Sequence, residues 1–427
     1  MKIVIIGYGP GGVAAATAAR AFDRSAEIEI LTRESIDSHR KPGAAMALEF
    51  PDTEELTIGD WSVKALEEKR ITVKMNTDVV AGDLQNRTIT VKDAKGKEST
   101  VSFDKLILAT GGIPAVPELP GTDLAGVYTI QDMVDTTRIG SELDKINKIV
   151  IVGAGFSGLE TAERLQKLGK EVHVIIRSRI LRRLLEEPMS REMLERLPKK
   201  VHVHLGSAPE AILGEGKVRA ISVGGEEIET DAVLIMTGVW PKAELGEVLG
   251  LHIGSLGGIV VDEFMQTSVP GVYAVGDCIE MIDPIAGEPI LLPVGSTAAR
   301  AGRQAGVAAV GGKKVYNDNA FRLQYDHIFN TDIICVGHST TTAGAFGIKT
   351  KVEYLEDPYE FAKIALVTDK DNRLIGGQVL ASRMGARVAY QIMERIAACA
   401  TLDERPLLKP QHTRIKELLE ATLGPIE

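Results

Sequence analysis

The sequence predicts an α/β fold: two doubly wound parallel sheets, followed by a smaller α+β unit. Lys2 to Ile6 reads KIVII and runs into Gly7, Gly9, Gly11 and Gly12, then into the small-residue stretch VAAATAAR. Lys148 to Gly158, KIVIVGAGFSG, repeats that order with Gly153, Gly155 and Gly158. Each copy is closed by a later apolar run ending in Thr-Gly: LILATGG, which reaches Gly112, and VLIMTG, which reaches Gly238. A short β-branched run without polar interruption fits a strand buried on both faces, the pattern of a parallel sheet.

In the first copy, strand, glycine turn and alanine-rich helix follow one another as a dinucleotide fingerprint requires. Missing side chains let the backbone approach a pyrophosphate, whose charge then sits on the free N–H groups at the helix start, beside Pro10. Glu27 to Leu31 (EIEIL) alternates as a second strand. Its end should meet the adenosine ribose, where Thr32 and Arg33 stand and Glu34 follows as the acidic candidate. Ser35 to Phe50 holds His39, Arg40, Lys41 and Pro42 but no cysteine. Ile71 to Val101 reads as short alternating strands with turns at Gly82-Asp83 and Lys95-Gly96.

The second copy opens a helix with Phe156, Ser157 and Gly158 and places Glu160 in its first turn. Its second strand, Glu171 to Ile176, ends at Arg177 and Arg179. An acidic residue there bonds the ribose hydroxyls of NAD, whereas arginine suits a 2′-phosphate, so the two arginines favour NADPH over NADH. Two fingerprints imply two nucleotides, and hence electron transfer between them. Asp277 follows the apolar run VYAVG and Gly276, at the carboxyl end of a strand, where ligands bind in open sheets. From residue 318 onward, strands are expected at Thr331–Val336, Ile348–Leu355 and Phe361–Val367, with helices at Ala386–Ala400 and Thr413–Thr422.

Composition bounds the function. The net charge of −10 argues against nucleic-acid binding, which needs a basic face. No apolar run reaches the roughly 18 residues of a membrane span. A core strand begins at once, so no signal peptide is expected. Cys278, Cys335 and Cys399 are far apart, without metal-ligand spacing, which fits a reducing, cytoplasmic compartment. Cys278 reads as structural, and Cys335 and Cys399 as core residues.

Over nearly its whole length the chain resembles the pyridine nucleotide–disulfide oxidoreductase superfamily, nearest its NADH oxidases, coenzyme A-disulfide reductases and ferredoxin reductases. The matching pieces are VIIGYGPGG, VIVGAGFSGLETAE, LILATGG, VLIMTGVWP, GIVVDEFMQTSVPGVYAVGDC and LLPVGSTAARAGRQAG. The resemblance implies Rossmann-like domains for FAD (1–112 and 243–317) and NAD(P) (113–242), and a C-terminal dimerisation domain (318–427). It implies FAD at Gly7 to Gly12, Val80, Ala109, Thr110, Gly111, Pro293 and Val294, with Asp277 on the ribityl chain. It implies NADPH or NADH at Gly153 to Gly158 and Gly238, a homodimer, and hydride transfer from nicotinamide to flavin.

The family's disulfide-reducing branch keeps a redox cysteine where Pro42 falls. Proline has no thiolate, so the usual route of disulfide reduction is closed. By resemblance, Lys41 pairs with Glu160 beside the flavin, and Arg20 falls where that branch binds coenzyme A. His412 is a proton-donor candidate or a helix cap. The expected enzyme oxidises NAD(P)H and passes electrons to oxygen, a quinone-like molecule or a small electron-carrier protein. A coenzyme A-disulfide or polysulfide reductase and a non-catalytic flavin-binding protein are the alternatives.

Overall fold

The β-branched runs form the central strands of two parallel sheets. In this computed structural model, which describes residues 1–39, 41–49, 56–313, 320–357, 362–382 and 387–401, Lys2–Ile6 lies between Glu27–Leu31 and Lys105–Leu108. Ile71–Lys74 and Val272–Ala274 complete that five-stranded sheet at its two edges. Ile3, Val4 and Ile5 are fully buried, each such side chain contributing about 1.5–3 kcal/mol. Lys148–Val152 has the same place in the second sheet, between Glu171–Ile176 and Ala232–Ile235, with Val201–Leu205 on one edge. Glu29 departs from simple alternation. It is buried in the first sheet and held by Lys2 at 3.3 Å and by Lys74.

Glycine allows two helices to approach closely over the first sheet. The helix Pro10–Phe22 packs on the helix Gly295–Ala309, where a Cβ at Gly302 would lie 2.1 Å from the Gly11 carbonyl oxygen. Residues far apart in sequence thus close one layer over the first sheet. The chain leaves this region along Gly112–Pro114 and returns along Val239–Pro241, and the two segments pair antiparallel.

The C-terminal sheet has the order Leu323–Ile328, Thr331–Gly337, Leu374–Ala381, Ala362–Thr368, Lys351–Asp357, with the helix Arg387–Ala397 against it. The strand expected at Ile348–Leu355 starts at Lys351 because the turn that closes the helix Thr340–Ala345, itself begun by a Ser339–Thr342 capping box, and an irregular stretch to residue 350 come first. Leu323–Ile328 was missed because its polar Gln324 and Asp326 leave no apolar run. Cys399 is not a core residue: it is exposed, in a left-handed turn (φ +54°) beyond the helix end. No helix among the described residues is long and apolar enough to cross a membrane.

Candidate active site

Both glycine turns open into one cleft of about 1480 Å³ that runs between the two parallel sheets and reaches the C-terminal one. The turns share one geometry. Gly7 and Gly153 both have φ +114°, which L side chains avoid, and a Cβ would meet Ala109 O at 2.1 Å and Met236 O at 2.4 Å respectively. Gly12 and Gly158 are packing glycines: a Cβ on either would lie 2.1 and 2.2 Å, respectively, from the carbonyl oxygen of the first glycine in its turn. Gly9 and Gly155 stand at the helix N-caps, and neither start carries a side-chain cap. Their first-turn N–H groups therefore face the cleft, where an anion is favoured.

Most of the expected site residues line this cleft: Gly7, Gly9, Pro10, Gly11, Arg33, Glu34, Ala109, Thr110, Gly111, Gly276, Asp277, Pro293 and Val294 on one arm. Gly153, Gly155, Phe156, Ser157, Gly158, Glu160, Arg177, Arg179 and Gly238 line the other. Val80 does not. It is 38% exposed and turned outward, and Val79 lines the cleft instead. Val79 and Val80 alternate inward and outward, and a bulge between Val79 and Ala81 leaves Val80 out of the ladder pairing.

Glu160 is buried, at 7% exposure, yet lies on the cleft wall. The helix begins at Phe156, so Glu160 is its fifth residue rather than a first-turn carboxylate, and its position comes from the helix face. The 3-10 helix Lys41–Leu48 packs against that same helix, and Arg164, one turn beyond Glu160, bonds Glu49 at 2.7 Å. The side chains of Lys41 and Pro42 lie outside the described residues, as do His412 and the expected helix at Thr413–Thr422.

The two arginines at the second strand's end differ. Arg177 is exposed at the cleft. Arg179 is a strut: it donates to Leu185 O at 2.6 Å and to Thr341 Oγ1 at 2.9 Å, tying the strand end to the C-terminal region. Sequence reasoning missed Arg322, which enters the cleft wall from the C-terminal region. Burial, together with the charge of nearby Arg183, lowers its guanidinium to about 10.

Among the described residues, no cysteine lines the cleft. Cys278 is fully buried, its Sγ 3.3 Å from Val275 O, and burial pushes its thiol up. Burial pushes the Cys335 thiol up to about 12. Arg20 donates to the carbonyls of Asp23, Arg24, Lys69 and Arg70 at 2.7–3.2 Å, which uses its guanidinium for structure.

A family model for pyridine nucleotide-disulphide oxidoreductases matches residues 1–306. The chain belongs to this family. It is similar to an NADH oxidase of Methanocaldococcus jannaschii, 32% identical over 409 residues that cover 92% of this chain and 89% of that one. It is 27% identical to an NAD(P)H coenzyme A polysulfide/persulfide reductase of Pyrococcus horikoshii, covering 94% and 92%. Among solved structures, an NAD-dependent persulfide reductase from A. fulgidus matches at TM-score 0.88 and 28% identity, covering 96% of this chain and 79% of that one. As a member of the family, the chain is an FAD-dependent NAD(P)H oxidoreductase. The residues present fit both groups. A Cβ at Gly111, Gly155 or Gly238 would meet nothing within 4 Å and would project into the cleft, so these glycines leave room for ligand.

Proposed function

We propose that the chain oxidises NADPH in preference to NADH and delivers the electrons to an external acceptor with no protein thiol between. The observation that carries this reading is that no cysteine lines the cleft among the described residues, with Cys278 and Cys335 buried and burial pushing both thiols up. Among the acceptors, oxygen or a small electron carrier fits a site of this kind better than a disulfide. Coenzyme A as a substrate finds little support in Arg20, which is engaged by four carbonyls.

When bound, FAD supplies hydride acceptance and onward electron transfer. The chain's own residues align and charge the site. The uncapped helix start at Gly9 would hold the FAD pyrophosphate, Asp277 would accept hydrogen bonds from ribityl hydroxyls, and Glu34 from the adenosine ribose. Ala109, Thr110, Gly111, Pro293 and Val294 would line the flavin's bed. The start at Gly155 would hold the second pyrophosphate, with Arg177 on the 2′-phosphate. Lys41 paired with Glu160 would keep a cation near the flavin, favouring an anionic reduced state. We also propose domain limits at 112/113, 242/243 and 317/318, a homodimer made by the C-terminal sheet, and a cytoplasmic setting.

The test is anaerobic reduction of the purified flavoprotein with NADPH, followed by addition of oxygen, a quinone, a reducible iron–sulfur protein or coenzyme A disulfide. Reoxidation by one of the first three is expected, and reoxidation by the disulfide alone overturns the reading. Lys41→Met should slow flavin reduction by NADPH; an unchanged rate removes Lys41 from the site. Asp277→Ala should yield protein with little bound flavin.

A further inference from the structure

The nicotinamide-side sheet carries a cluster that the cofactor cleft does not use. In the parallel pair Glu171–Ile176 and Val201–Leu205, His173 stands opposite His202 in register, and their rings stack with centroids 4.8 Å apart. Glu171 and His204 fall on the same face, two residues from His173 and His202 respectively. Glu171 Oε1 is 2.9 Å from His173 Nε2, and His173 Nδ1 is 2.8 Å from His204 Nε2. One ligand atom from each of Glu171, His173 and His202 lies within 4.8 Å of the other two.

We infer that Glu171, His173 and His202 bind a divalent transition-metal ion of the zinc class. One carboxylate and two imidazoles are a donor set that zinc takes, and three protein ligands leave a position for water. His204 is the outer partner. A metal on His173 Nε2 leaves the imidazole proton on Nδ1, where His204 Nε2 accepts it, and this fixes both tautomer and ring orientation. The ammonium of Lys148, 2.8 Å from Glu171 Oε1, now neutralises the carboxylate and is the charge an ion must displace. Lys148 is one-third exposed, so it can swing into solvent.

The position defines the role. Val201–Leu205 is the edge strand of its sheet, so an ion bridging His202 to Glu171 and His173 clips that edge to its neighbour. Glu171 begins the strand whose far end delivers Arg177 to the cleft, which separates ion and nucleotide by roughly 13–20 Å. The ion therefore braces the sheet edge and stands apart from electron transfer.

The experiment uses tag-free, chelator-treated, flavin-loaded enzyme titrated with Zn²⁺ by calorimetry and with Co²⁺ by its visible ligand-field bands. One equivalent per chain is expected, with a rise in the unfolding midpoint. His202→Ala, a change at an exposed edge residue, should abolish uptake and the Co²⁺ spectrum, and His204→Ala should weaken binding by about 10–100-fold. Flavin content and NAD(P)H oxidation should be unchanged in both. No stoichiometric uptake, or uptake unaltered by His202→Ala, overturns the assignment.

Discussion

Glu186, on the segment that follows the strand Glu171–Ile176, accepts hydrogen bonds from the backbone N–H of Thr340 at 2.8 Å and from its Oγ1 at 2.6 Å. Gln378 Nε2 donates to the same carboxylate at 3.1 Å, and Glu186 N donates to Gln378 Oε1 at 2.6 Å. The group is buried, so each donor left unmatched costs about 1–3 kcal/mol. Glu186→Ala should lower the unfolding free energy by an amount in that range or above, read as a lower denaturant midpoint at unchanged slope. It should also raise KM for NAD(P)H, because the segment it anchors carries Arg182 and Arg183 on the cleft wall. A variant with unchanged midpoint would show that the lock contributes nothing.

Arg177 and Arg179 separate by role. An arginine–phosphate contact contributes about 1.5–3 kcal/mol, less when exposed. Arg177→Ala should raise KM for NADPH by about tenfold and leave KM for NADH nearly unchanged. Arg179→Ala should affect both nucleotides alike and lower thermal stability, since its partners are Leu185 O and Thr341. Steady-state kinetics with both nucleotides decides it.

Gly155 and Gly7 offer a second contrast. Gly155 has open space beside it and an ordinary φ of −75°, so Gly155→Ala should fold and bind flavin normally while binding NAD(P)H more weakly. Gly7→Ala meets Ala109 O and a positive φ that alone costs about 1–2 kcal/mol, and should yield unstable, flavin-poor protein. Flavin content and NAD(P)H titration distinguish the two.

Asp283 and His338 form a buried pair, Oδ2 to Nε2 at 3.0 Å. Burial by itself raises the Asp283 pKa, but hydrogen bonds from His338 and the amides of Ala286 and Ile285 outweigh it and leave the carboxyl below its ordinary value. A carboxyl lowered on folding binds fewer protons than in the unfolded chain. Its stabilisation is full above about pH 4 and is lost as pH falls through the folded value. Asp283→Asn should therefore be less stable than the parent near neutrality, with the gap narrowing toward pH 3. Thermal melts across that range test the sign, and a gap that widens on acidification would falsify it.

Much of this was legible in the sequence because the decisive contacts are local. A glycine that must pass a carbonyl at the end of a strand declares itself within twelve residues, and it did so twice. What escaped depended on distant partners or on small geometric irregularities. Val79 rather than Val80 faces the cleft, and a one-residue error in the phase of the alternation is enough to exchange them. Glu29 is buried because Lys2 and Lys74 come beside it from neighbouring strands, which the alternation of its own strand does not announce. Arg322 reaches the cleft only through the docking of the C-terminal sheet, which no local pattern announces.

The close packing of Gly302 on Gly11 also bears on how the chain is made. Strand Val272–Ala274 and helix Gly295–Ala309 complete the layer begun by residues 1–112, with the whole second sheet synthesised in between. At chain-elongation rates those intervening ~160–180 residues take roughly 10–40 s to emerge. For that interval the nascent N-terminal sheet has one edge unpaired and one helix face bare, and a chaperone or an early flavin would find both on the ribosome.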